Sequence, residues 1–202
     1  MKKIVFICSH PYSGSSALYE AMNHHPRIQG FKLNNSYLNP INLLDLTNRS
    51  HKLSNRSAIY MDELLYNRSF YTNIAYAKCQ FVYVIREPES VLGFLIANEK
   101  KKPTFAAREY TFRLRRICEM ARKTPGAVLL TWNDLISGDG IDLIEKYLGL
   151  KEPIFYDPAL LAPYKRTFNS DLIGSKLLSE TQDAYEKYLY FLKNQNLVIN
   201  KS

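Results

Sequence analysis

His10-Pro11-Tyr12-Ser13-Gly14-Ser15-Ser16 places three serine hydroxyls, a phenol, an imidazole and a glycine within one short turn. Before it lies an apolar run, Ile4 to Cys8. After it, Ala17, Leu18, Ala21 and Met22 recur at helical spacing. A strand, a small-residue loop and a helix in that order predict an anion site. The first N–H groups of a helix lack intrahelical partners, and the helix dipole favours negative charge there. Gly14 lets a ligand approach the backbone, and Ser13, Ser15 and Ser16 add hydroxyl donors. Phosphate is the natural guest. The plainer alternative is that Ser15 or Ser16 only caps the helix. The loop lacks the Walker A pattern, because no Gly precedes Gly14 at the required spacing and no Lys follows it.

Two further segments carry candidate chemistry. Arg86 ends the apolar run Gln80–Ile85, and a planar guanidinium at a strand end is a good bidentate phosphate ligand. The alternative is a surface arginine, or one paired with Glu87 or Glu89. Trp132 follows a third apolar run, Ala127–Thr131, and can equally belong to the core.

The elements that must position these groups follow from periodicity. Residues 3–8 predict a strand and 15–24 a helix. Residues 31–57 read as a long polar loop with a short helix near Ile41–Leu46. Residues 58–61 predict a short strand and 62–77 a helix. A strand follows at 80–85 and a helix at 88–99, with Pro88 in its first turn. Residues 104–123 predict a helix bearing Arg108, Arg113, Arg115, Arg116 and Arg122, read as a solvated face rather than the lining of an anionic acceptor site. A strand over 127–131 leads to an amphipathic helix over 141–150. Ser179 and Gln182 form a capping-box pattern opening the last helix, 179–194. Strands separated by helices predict a three-layer α/β/α fold, P-loop-like, around a mostly parallel sheet, as one domain over 1–202. Ligands in such sheets bind at the carboxyl ends of strands. The loop, Arg86 and Trp132 all leave such ends, so three segments converge on one edge.

The totals narrow the partners. A formal charge of +8 favours an anionic one. A plain nucleic-acid-binding module accounts for the charge but not for the converging loops. No apolar run approaches a membrane span and no secretion signal is evident, so the expectation is a cytoplasmic protein. Cys8, Cys79 and Cys118 are too far apart for a zinc site and read as reduced thiols, and no metal is expected. The Asn-x-Ser triplets at 48–50, 55–57 and 67–69 read as chance in an Asn-rich sequence.

The loop resembles the 5′-phosphosulfate loop of sulfotransferases that use 3′-phosphoadenosine 5′-phosphosulfate (PAPS). That pattern is Pro, a Lys or Arg, Ser-Gly, then two Ser or Thr, with a His-Pro pair beyond the helix. Pro11, Ser13, Gly14, Ser15, Ser16 and His25-Pro26 match, and Tyr12 stands at the basic position. Arg86 and Pro88 match the family's Arg-x-Pro, whose Arg contacts the nucleotide 3′-phosphate. The family's Ser eight residues later is Phe94 here, and Ser90 is the nearest substitute. Trp132-Asn133-Asp134-Leu135 and the ending Tyr147-Leu148-Gly149-Leu150 follow a third family segment, with Asn133 in place of Glu. The resemblance implies that Trp132 packs near adenine and that Lys165-Arg166 folds over the 3′-phosphate.

It also implies a function: transfer of a sulfuryl group from PAPS to a hydroxyl or amine acceptor, leaving 3′-phosphoadenosine 5′-phosphate (PAP). His10 and Tyr12 are the candidate catalytic residues, with His51, Asp62 and Glu63 as further candidate bases and Lys32 as a substitute cation. The alternatives are a protein of this fold that binds a nucleotide or sulfated ligand without transfer, and a P-loop-like kinase.

Overall fold

A computed structural model describes residues 4–32, 56–62, 79–164, 168, 170–195 and 197–199. Strands β1 (Ile4–Ser9), β2 (Ile28–Lys32), β3 (Ser57–Asp62), β4 (Gln80–Ile85), β5 (Val128–Thr131) and β6 (Val198–Ile199) form one sheet in the order β2-β3-β1-β4-β5-β6. Every neighbouring pair is parallel. Helices are α1 (Ser15–Asn23), α2 (Pro88–Ala97), α3 (Pro103–Ala121), α4 (Trp132–Ser137), α5 (Asp139–Leu148) and α6 (Ser175–Lys193).

The strands are apolar on both faces because both faces are covered. Val5, Ile7, Val82, Val84, Val128 and Leu130 pack against α1, α4 and α5. Phe6, Cys8, Phe81, Tyr83 and Leu129 face the other way, against α2, α3 and α6. This is the expected α/β/α architecture. From β1 the chain runs out to β2 on one flank, returns through β3, then starts the other flank with β4. The direction therefore reverses beside β1, and the carboxyl ends of β1 and β4 border the crevice where such sheets bind ligands.

Several boundaries differ from the sequence reading. β2 begins directly after the turn that follows α1 and extends to Lys32, two residues into the stretch 31–57 that reads as a long loop. The strand expected at 58–61 reaches Asp62, where the next helix was expected to begin. Trp132–Ser137 is a helix of its own, because Thr131 and Asp134 form a full capping box. α6 starts four residues before Ser179, behind Gly174 at φ 85°, so the Ser179–Gln182 pattern lies inside the helix and caps nothing. Leu177 and Leu178 already pack on the core, which carries the helix back to Ser175. The short helix near Leu44 and residues 63–77 of the second expected helix lie outside the described residues.

Candidate functional site

The loop after β1 takes its shape from two residues in the left-handed region. Gly14 has φ 92° and caps α1, its carbonyl accepting from the Ala17 and Leu18 N–H groups at 3.1 and 3.2 Å. A Cβ there would lie 2.9 Å from Leu135 Cδ1 and 3.0 Å from the Trp132 ring, so packing and backbone both require glycine. Tyr12 has φ 61°, a conformation that costs a non-glycine residue about 1 kcal/mol. Ser9 and Ser13 are fully buried, and neither hydroxyl has a hydrogen-bond partner among the described residues. Orphaned buried hydroxyls are uncommon, and one at the start of a helix is a donor set waiting for an acceptor. Ser15 and Ser16 open the helix.

Arg86 ties the crevice together and is 2% exposed. Its backbone N–H donates to His10 Nε2 at 3.0 Å, and its carbonyl accepts from the Tyr110 hydroxyl. Its Nε donates to Glu87 Oε1 at 3.0 Å and its Nη1 to the Tyr12 carbonyl at 3.2 Å. Its Cζ lies 3.6 Å over the Trp132 ring, a close cation–π contact. Burial lowers its pKa while Glu87 opposes the shift, and the guanidinium stays charged at neutral pH. Sequence order therefore brings the loop, Arg86 and Trp132 together.

Three of the residue expectations need correction. His10 is not placed to take a proton from a substrate. Nε2 accepts from Arg86, so Nδ1 carries the hydrogen and donates to the Pro11 carbonyl at 3.0 Å. Burial, with Arg113 and Arg86 adding to it, pushes this imidazole down to about 4. It is a neutral strut between β1 and β4, its ring edge against Tyr110 at 5.1 Å.

Tyr12 turns away from the loop. Its ring stacks on Phe94 at 4.8 Å with 12° between planes, and its hydroxyl donates to Glu99 at 2.9 Å. Glu99 pairs with Lys101, Lys101 with Glu109, and Glu109 with Arg113. Phe168 closes on Phe94 edge-on at 4.8 Å. Tyr12 and Phe94, two of the three departures from the resembled pattern, thus touch each other. Trp132 is also not an open stacking platform: it is buried between the Arg86 guanidinium and Gly14.

Ser90 sits half-buried in the first turn of α2, and its hydroxyl makes no hydrogen bond among the described residues. Lys165, Arg166, His51 and Glu63 lie outside the described residues. Asp62 and Lys32 end their strands. The sequence reading missed Ser9, Glu99 and Tyr110. Glu87 it considered only as a surface partner of Arg86. Its place beside the strand-end arginine was the available signal; Glu99 and Tyr110 had none, because their contacts cross long stretches of chain.

No protein-family model matches the sequence, and no curated protein does. Solved structures match the fold. A sulfotransferase domain from the Synechococcus PCC 7002 olefin synthase aligns with TM-score 0.59 and 16% identity, covering 96% of this chain and 95% of that one. A sulfotransferase from Alicyclobacillus acidocaldarius gives TM-score 0.59 and 12% identity over 94% and 96% of the two chains. A mouse sulfotransferase complexed with PAP gives 0.53 and 13% over 97% and 89%. At these identities the likeness is one of fold: the chain has the sulfotransferase fold. No helix among the described residues is long and apolar enough to cross a membrane.

Proposed function

From a sulfotransferase fold with this loop at its switch point, we propose a single-domain, PAPS-dependent sulfotransferase acting on a hydroxyl or amine. The observation that carries the reading is the buried Ser13 hydroxyl, unpartnered among the described residues, just before α1 and beside a guanidinium bonded to the same loop. Ser13 and the amino end of α1 receive the 5′ anion of the nucleotide. Arg86, with Ser90 in the first turn of α2 and Lys165 and Arg166, takes the 3′-phosphate. Trp132 holds the Arg86 plane rather than offering itself to adenine. The donor supplies an activated sulfuryl group. The acceptor oxygen or nitrogen bonds to sulfur as the bond from sulfur to the bridging phosphate oxygen breaks, and the acceptor proton passes to a base. His10 fixes the loop on β4 throughout and does not exchange that proton. The three cysteines, Cys8, Cys79 and Cys118, are free thiols, which suits a reducing, cytoplasmic compartment.

One observation favours a second reading, a binding protein without transfer. Charge develops on the bridging oxygen and calls for a nearby cation, yet Tyr12 occupies the basic position and its hydroxyl is spent on Glu99. A thermal-shift titration with PAP, against ATP with magnesium and 5′-AMP, tests the site. A ligand at about 100 times its Kd adds roughly 2.7 kcal/mol, several degrees in Tm for a domain this size. Radiolabelled PAPS then separates the readings. Label passing to an acceptor, and lost in Arg86→Ala, establishes transfer. Binding without transfer across a broad acceptor panel leaves the binding protein. A shift with ATP and magnesium but none with PAP would overturn the sulfotransferase reading and favour a phosphotransferase.

A further inference from the structure

Most of the chain's surplus charge sits on one helix and the turn before it. Between Glu99 and Lys123 the sequence has nine basic and three acidic residues, a net +6 of the formal +8. Ala106, Tyr110, Leu114, Ile117 and Ala121 take the buried side of α3. On its outer side Phe105, Arg108, Phe112, Arg115, Glu119 and Arg122 follow one another at steps of three and four. That line is about 26 Å long. Lys100 and Lys102, both exposed, lead into it.

The acids nearby cancel only part of this charge. Glu99 pairs with Lys101, and Glu109 with Lys101 and Arg113. Glu119 lies 3.8 Å from Arg115 and 3.4 Å from Arg116. Arg108 makes no ion pair among the described residues. The neighbouring α6 has three basic and three acidic residues, Glu180 with Lys176 among them, and adds no net charge.

Two phenyl rings stand in this positive field, Phe105 at 58% and Phe112 at 40% exposure, about 10 Å apart along the axis. Cations lie close to both. Lys101 Nζ is 6.0 Å from the centre of the Phe105 ring, and the Cζ atoms of Arg115 and Arg116 are each 5.5 Å from that of Phe112. Stacking of nucleic-acid bases needs open ring faces, and here cations share them. A lipid interface suits both groups at once: rings gain by entering the acyl boundary, while charged heads stay level with the phosphates.

We propose that this outer face of α3 rests on an anionic lipid surface. Phe105 and Phe112 enter the headgroup boundary, and Lys100, Lys102, Arg108 and Arg115 meet the lipid anions. Surplus charge spread along a whole helix matches an extended surface rather than one small anion. The face begins beside the crevice, because Lys101 holds Glu99 and Glu99 accepts from Tyr12. The proposal does not depend on the donor reading.

The test is flotation of the full chain with phosphatidylcholine vesicles, plain or carrying about 30% phosphatidylserine. Binding is expected to the serine-lipid vesicles alone at about 0.1 M salt, and to fade at about 0.5 M. Arg108→Ala and Arg115→Ala should each lower the partition coefficient about fivefold. Phe105→Ser with Phe112→Ser should lower it about tenfold while leaving its salt dependence unchanged. Circular dichroism and melting point should match the unaltered chain in every variant. Equal binding to both vesicles, binding to neither, or binding indifferent to these substitutions overturns the proposal. So does a labelled single-stranded oligonucleotide that binds through the same residues while the vesicles do not: the face would then serve a nucleic acid.

Discussion

His10 must be uncharged for the loop to stay joined to β4, because a protonated ring would turn its acceptor nitrogen into a donor facing the Arg86 N–H. Its pKa falls from 6.5 to about 4 on folding. Between those values the unfolded chain holds the extra proton, so stability rises with pH. The contribution is complete above pH 6.5 and lost as pH falls to about 4. It amounts to about 3 kcal/mol. Urea unfolding from pH 4 to 7 should show that slope, and His10→Gln should flatten it. Glu87 invites a second test, since its carboxylate occupies the Arg86 Nε that an incoming phosphate would use. Glu87→Gln should tighten PAP binding by about 1 kcal/mol, roughly fivefold, in calorimetry. The strand-end positions of the loop and Arg86 were legible because strand–loop–helix order dictates them. Their commitments were not. His10 meets Arg86 across 76 residues, and Tyr12 meets Glu99 across 87. Spacing along a sequence carries no sign of such contacts.

At the scale of elements, α4 depends on a cap. The Asp134 carboxylate accepts from both the N–H and the hydroxyl of Thr131, at 2.6 and 2.7 Å, while the Thr131 hydroxyl accepts from the Asp134 N–H at 3.4 Å. The asymmetry predicts that Asp134→Ala costs more than Thr131→Val, each on the order of 1 kcal/mol in urea unfolding. Asp134 also matched the resembled sequence pattern, and here its visible work is structural. α2 is pinned differently, with a Cβ at Gly93 falling 2.2 Å from the Phe168 ring. Gly93→Ala should therefore lower stability by about 1–3 kcal/mol through overpacking. The central strands were readable because burial on both faces forces continuous apolar runs. β2 was not, because an edge strand of mixed composition, Ile28-Gln29-Gly30-Phe31-Lys32, has neither a run nor an alternation.

Over the whole molecule, the sheet order makes one prediction that point substitutions cannot. If a nucleotide binds at the reversal of strand order, hydrogen exchange should slow at residues 9–16, 86–90 and 130–135, while α3 beyond Arg113 stays unchanged. Protection spread evenly over the chain would place the ligand elsewhere. The same order governs how the protein comes off the ribosome. β1 is made before both of its neighbours, β3 and β4, yet it ends between them in the middle of the sheet. At a synthesis rate of about 5–20 residues per second, β4 follows it by about 4–15 seconds. For that interval Ile4–Cys8, apolar on both faces, has at least one backbone edge with nothing to pair with, and both until β3 is made. The nascent chain thus carries an adhesive segment without its central partner, and its yield in the cell will depend on what shields that segment until Arg86 has been translated.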